Sequence, residues 1–153
     1  MKDWSLAGLA GLGSLFLLGG ALFFEHVVGL APCELCLWQR WPHVAAFAIG
    51  VLAWFVPSSL VAVLGAAAVA TSGGLGIYHT GVERGWWQGP QACSGSADIT
   101  GLSAQQLLDT IMAAPVVRCT DVAWEMLGLS MASWNAIASF ALAGLWMMSL
   151  RRA

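Results

Sequence analysis

From Trp41 to Val82 the chain has no Asp, Glu, Lys or Arg. A soluble domain must show charge to water throughout its length, and about a quarter of the residues in an average one are charged. Here the charged share is 9%, against 59% apolar. Lipid is therefore the expected main solvent. The run is too long for one crossing, because about 20 residues rising about 1.5 Å each already span a hydrocarbon core of roughly 30 Å. Pro57-Ser58-Ser59 breaks it in the middle. It reads as a tight helical hairpin, with crossings over about 41–56 and 60–79.

Two further uncharged runs flank this hairpin. Trp4–Phe24 has 21 residues, and Met126–Leu150 ends at Arg151-Arg152. The expected fold is an all-α membrane protein, a single domain over 1–153, with a four-helix transmembrane bundle crossing at about 4–24, 41–56, 60–79 and 130–150. Lys2 ahead of an apolar stretch also suits a cleaved signal peptide, but the length of the stretch and the three further runs argue against that. Pro32 before Cys33 argues against a lipoprotein cleavage site. Gly11, Gly13, Gly73, Gly74 and Gly76 suit close helix contact in lipid.

Four crossings put both termini on one side and the loops at about 25–40 and 80–129 on the other. All four cysteines, Cys33, Cys36, Cys93 and Cys119, fall in those loops. The cationic side chains do not orient the chain: Lys2, Arg151 and Arg152 stand against Arg40, Arg84 and Arg118. Disulfides persist in the periplasm and are rare in the cytosol, so if the cysteines pair, these loops face outward. A net charge of -2 with no basic block excludes nucleic acid as an expected partner.

The first loop reads Ala31-Pro32-Cys33-Glu34-Leu35-Cys36-Leu37-Trp38-Gln39-Arg40. A Cys-x-x-Cys at a helix start sets its second sulfur beside unpaired N–H groups, which favours thiolate and makes Cys36 the expected nucleophile. Arg40 lies four residues on, on the same face. A cation at that depth needs a partner. Half of a zinc site is an alternative, but no second Cys-x-x-Cys or His pair completes it, so no metal is expected. Haem attachment would need a histidine at 37, where Leu stands. A structural staple is the strongest competitor, although Cys-x-x-Cys closes too short a ring to constrain much chain.

The second loop separates Cys93 from Cys119 by 26 positions. Ser103-Ala104-Gln105-Gln106 has the capping-box pattern, and Leu107, Leu108, Ile111 and Met112 recur at helical spacing before Pro115. A short amphipathic helix on the membrane surface is expected there. His79 reads either as a proton donor or ligand-binding group, or as an interfacial histidine without a task. Trp86, Trp87, Trp124 and Trp134 suit an aromatic belt. Glu25 and His26, after the first crossing, are expected to be solvated.

With these residues assembled, the chain resembles the disulfide bond formation protein B family. The match is carried by APCELCLWQR, by IYHTGVERGWW ahead of ACSG, and by RCTDVAWEMLGLSMASW. The resemblance implies a quinone-reducing thiol oxidase of the bacterial inner membrane, with cytoplasmic termini and periplasmic cysteine loops. It implies that Cys33 and Cys36 pass electrons to a quinone, ubiquinone or menaquinone, with Cys36 as the sulfur against the ring. Arg40 and His79 become quinone-site residues. Cys93 and Cys119 become the pair that oxidises a DsbA-like thioredoxin-fold protein of the periplasm, with Cys93 forming the mixed disulfide. Gln39 stands where some members of the family have an acid, so no proton-handling role is carried over to it. A protein similar to vitamin K epoxide reductase is the competing enzyme reading, disfavoured because its Cys-x-x-Cys comes after its loop pair. A membrane scaffold with stapled loops is the non-enzyme reading.

Overall fold

The computed structural model describes residues 4–90, 103–106, 108 and 117–150. Four long helices carry the fold: α1 (Trp4–His26), α2 (Glu34–Phe55), α3 (Ser59–Glu83) and α4 (Met131–Leu150). Helices over Leu6–His26, Ser59–Glu83 and Met131–Leu150 are long and apolar enough to cross a membrane. The 22-residue α2 carries Glu34 near its start and Pro42 in its interior. Successive helices pack on one another, and α1 closes against α4.

The α2–α3 turn follows from its sequence. Val56 donates its N–H to the Leu52 carbonyl, Pro57 has no N–H to continue the helix, and Ser58 caps α3 by accepting the Val61 N–H at 3.3 Å. Around this end the core is made of small residues, among them Ala7, Ala46, Ala53, Ala62 and Ala66, closed by the fully buried Trp146. A Cβ on Gly50 would lie 2.8 Å from the Gly11 Cα, so α1 and α2 meet there backbone to backbone. Large apolar side chains point outward instead: Phe16 and Phe55 are each 79% exposed. That is the pattern for lipid as solvent, where small residues draw helices together and bulky ones face the tails.

Three helices extend past the boundaries that charge suggests, α1 running through Glu25 to His26. α2 begins at Glu34 and runs through Arg40 and Pro42, and α3 continues to Glu83. Charge marks where lipid ends, whereas a helix ends where its cap residues end it. The link from α1 to α2 is thereby reduced to residues 27–33.

Ahead of α4 the structure adds an element the sequence reading lacked. β1 (Glu125–Met126) and β2 (Leu129–Ser130) pair antiparallel, with Glu125 opposite Ser130 and Met126 opposite Leu129. Leu127 (φ 56) and Gly128 (φ 75) both occupy the left-handed region, as a tight two-residue hairpin turn requires. In the second loop the capping box is formed: Ser103 Oγ accepts the Gln106 N–H at 3.3 Å, and Gln106 Oε1 accepts the Ser103 N–H at 3.0 Å. Leu107, Ile111, Met112 and Pro115, and with them most of the expected amphipathic helix, lie outside the described residues.

Candidate functional site

The N-terminus of α2 builds the first half of the site. Cys33 is its N-cap, and its Sγ accepts the Cys36 N–H at 3.4 Å. The Cys33 and Cys36 sulfurs are 3.2 Å apart, and both are free thiols. The hydrogen bond from Cys36 holds the Cys33 thiol at about 4, against the upward push of burial and with help from His79. Donating that hydrogen bond, together with burial, pushes Cys36 up. In this dithiol state the Cys36 thiol, by its hydrogen bond, thus favours thiolate on Cys33, whereas sequence position alone pointed to Cys36. As the helix cap, Cys33 also receives the Cys36 N–H, which adds a smaller contribution in the same direction.

His79, from α3, is 3% exposed. Its Nε2 lies 3.5 Å from Cys33 Sγ and 3.8 Å from Glu83 Oε1. Gln39 Nε2 is 3.0 Å from His79 Nδ1 and also donates to the Leu35 carbonyl at 3.0 Å. A carbonyl can only accept, so the Gln39 amide is fixed in this orientation. Nδ1 of the neutral ring must then accept, which leaves the proton on Nε2, facing the Cys33 sulfur.

Cys119 approaches from the second loop and is 2% exposed. It packs with Cys33, Leu35 and Val82. The ligand atoms of Cys33, His79 and Cys119 all lie within 4.8 Å of one another. Such a cluster could hold a soft metal ion if every sulfur were a thiolate, but Cys119 is disulfide-bonded. A disulfide sulfur is instead an electrophile for a neighbouring thiolate. Cys93 lies outside the described residues.

Beside this cluster is a cavity of about 450 Å³. Its polar lining comes from Cys36, Gln39, Arg40, His43, His79 and Asn135, and its apolar walls include Phe16, Phe24, Leu30, Trp124, Met131 and Trp134. Arg40 is paired with Glu25, whose carboxylate accepts from Arg40 Nη1. Solvation of Glu25 was therefore the wrong expectation; it is the partner that a cation at this depth requires, and only His26 is largely exposed. Among the described residues, Arg40 Nε and His43 Nδ1 are buried without a partner. A mostly apolar cavity with one reactive sulfur and one guanidinium in its lining suits an apolar ligand that carries a few polar atoms.

Sequence reasoning missed four residues here. Glu25 was passed over as solvated. His43, Asn135 and Ser72 sit inside uncharged runs, where a neutral polar residue gives no periodic signal. The tryptophans also divide in role. Trp124 and Trp134 wall the cavity, while Trp87 stacks on Tyr78 with rings 6.0 Å apart and donates its N–H to the Tyr78 carbonyl at 2.7 Å.

The chain matches the family described as disulfide bond formation protein DsbB over residues 3–149. It belongs to the DsbB family. Among relatives, it is 31% identical to a disulfide bond formation protein B of Verminephrobacter eiseniae over 93% of this chain and 82% of that one. It is 30% identical to the protein of that name from Stutzerimonas stutzeri, over 97% and 95% of the two chains. An uncharacterized protein of Rickettsia prowazekii is 30% identical over 84% of this chain and 77% of its own length. No solved structure matches. Membership in the DsbB family makes this a disulfide oxidoreductase of disulfide bond formation, and the three long apolar helices among the described residues fit a membrane protein.

Proposed function

We propose that this DsbB-family protein oxidises the dithiol of a DsbA-like thioredoxin-fold protein and delivers the electrons to a membrane quinone. Its route runs from Cys93 and Cys119 to Cys33 and Cys36, with α2 as the fourth crossing, both termini in the cytoplasm and the cysteine loops in the periplasm of the bacterial inner membrane. One observation carries the reading: Cys119, Cys33 and His79 share one cluster, and Cys36, its sulfur 3.2 Å from that of Cys33, lines a cavity with Arg40.

The partner's thiolate attacks Cys93 and releases Cys119, forming a mixed disulfide. Cys119 then attacks Cys33 in its disulfide with Cys36, so one S–S bond forms as another breaks. Cys36 leaves as the thiolate in this exchange, and His79 Nε2–H supports negative charge on Cys33 when reclosure of the outer pair later releases it. A second attack within the partner frees Cys93, and reclosure of the outer pair leaves Cys33 and Cys36 as a dithiol. That is the state of the inner pair here, with Cys119 in a disulfide. A bound quinone supplies a two-electron acceptor. Cys36 would hold it at the ring, and Arg40 would stabilise charge on the adjacent oxygen. With a quinone bound, attack of the Cys33 thiolate on Cys36 would close their disulfide and pass the electron pair to the ring, the Cys36 thiol proton and one from solvent completing the quinol.

The test is direct. Purified protein, a reduced thioredoxin-fold dithiol substrate and a short-chain quinone are mixed, and quinone absorbance is followed. Steady loss of quinone is expected, and a flat trace rejects the proposal. In Cys119→Ser, a mixed disulfide through Cys93 should persist on a non-reducing gel.

A further inference from the structure

Glu83 closes α3 and has no part in the route from sulfur to quinone. Its side chain is 6% exposed, and its Oε1 lies 3.8 Å from His79 Nε2. The groups that face it are Cys33 from α2, His79 and Arg84 from its own end of the chain, and Ser130 from β2. Arg84 is held over the Trp86 ring, 5.7 Å from its centroid, and makes no ion pair with Glu83 among the described residues. Ser130 offers a hydroxyl and no charge. Cys119, beside Cys33 and His79, is disulfide-bonded and carries none either.

What His79 can give follows from the amides behind it. Ser72 Oγ donates to the Gln39 carbonyl at 2.9 Å, so it accepts from Asn135 Nδ2 at 3.1 Å. The same Nδ2 donates to Gln39 Oε1 at 2.7 Å, which leaves Gln39 Nε2 for the Leu35 carbonyl and His79 Nδ1. A proton on Nδ1 would meet an N–H, so the ring has one N–H to give, on Nε2. Two acceptors compete for it: Cys33 Sγ at 3.5 Å and Glu83 Oε1 at 3.8 Å.

The redox state of Cys33 decides that competition. In a disulfide Cys33 is uncharged, and the carboxylate is the better acceptor. In the dithiol Cys33 carries the charge, and the N–H turns to sulfur, as the contact of 3.5 Å shows. Glu83 is then a buried carboxylate that has lost its donor and faces a second anion. Two buried anions competing for one donor do not both persist, and one of them takes a proton. Cys33 keeps the Cys36 thiol and the Cys36 N–H as further donors, so the proton goes to Glu83.

Resting on the redox cycle of the inner pair described above, we propose that Glu83 takes up one proton when Cys33 becomes thiolate and releases it when the Cys33–Cys36 bond closes. For each inner disulfide reduced, two electrons open the S–S bond, one proton makes the Cys36 thiol and one enters the Glu83 carboxyl. They balance the two protons that the substrate dithiol gives up. On reoxidation, the proton that Glu83 returns to solvent offsets the one the quinol draws from it. The charge of the buried cluster is therefore the same before and after each half of the cycle.

The test is infrared difference spectroscopy of the detergent-solubilised full chain, reduced with dithiothreitol and reoxidised with diamide, reading the carbonyl stretch of a protonated carboxyl. Reduction should raise one such band, shifted by deuterium exchange, and reoxidation should remove it. Glu83→Gln should lose the band, and Glu83→Asp should keep it at a shifted frequency. Cys33→Ser, which still allows the outer pair to be reduced, should also lose it. No band in the wild type, or a band unchanged in Glu83→Gln, overturns the proposal. If Glu83→Gln does not fold, Glu83→Asp decides, because a band at the wild-type frequency there belongs to another carboxyl and overturns it. Short-chain ubiquinone in place of diamide separates the two readings. A band that diamide removes and ubiquinone leaves upholds the role of Glu83 and overturns the quinone reading; oxidation by ubiquinone without any band overturns the role of Glu83 alone.

Discussion

The two ends of the helical bundle use the same helices for opposite purposes. At the α2–α3 turn, Ala53, Ala62 and Ala66 surround Trp146, and Gly11 meets Gly50. At the other end, α2 and α3 bring Cys33, Gln39, His79 and Glu83 into a buried polar cluster capped by Cys119. The first end gains close van der Waals contact from alanine and glycine, which carry no polar side-chain group. The second pairs its clustered polar groups with one another, through contacts that also tune a sulfur. Confining reactive groups to the second end leaves the first free to fix helix spacing.

The comparison breaks most sharply at Cys36. Cys36→Ser should abolish quinone reduction altogether while leaving helix content unchanged, and normal turnover in that variant would remove Cys36 from the route. Arg40→Ala should raise the KM for quinone about tenfold, the scale of one lost charge-assisted hydrogen bond; an unchanged KM would leave Arg40 with only its ion pair to Glu25. At the packing end, a side chain on Gly50 would strike the Gly11 backbone. Gly50→Val should lower stability by about 1–3 kcal/mol, read as a fall in thermal midpoint, while the titration of Cys33 stays in place. A shifted titration would mean that the two ends are mechanically coupled.

The finest distinction is in pH. In the reduced protein, the ultraviolet absorbance of the Cys33 thiolate should persist below neutral pH and disappear only as pH falls through about 4. Because the folded value is depressed, the stabilisation linked to it is complete above the ordinary value of 9.0 and is lost as pH falls towards about 4. His79→Ala removes one hydrogen bond to that sulfur and should move the transition upward. A transition that does not move would limit His79 to packing.

Particular residues show what could be read from the chain. Cys-x-x-Cys with Arg40 announced a reactive site, and the uncharged runs announced lipid. The need of Arg40 for a partner was also legible, but its partner was not: Glu25 meets Arg40 only because α1 returns beside α2. Cys36 was expected at the helix N-terminus as the thiolate, and the cap fell on Cys33 instead, since capping depends on the φ/ψ of one residue. Asn135 and Ser72 gave no signal, because a neutral amide or hydroxyl in an apolar run looks the same whether it faces a neighbour or a cavity.

Hydropathy is a sum along the chain, so a linear reading suffices for membrane character and for the inventory of sulfurs and charges. Which of those groups meet is another matter. It depends on the rotation of each helix about its axis and on the depth at which helices cross, and both are set by the contacts of small residues such as Gly11 with Gly50. The long uncharged run from Trp41 to Val82 therefore foretold a helical hairpin. It could not foretell that His43 and Ser72, inside it, would share Asn135 with Gln39 just before it.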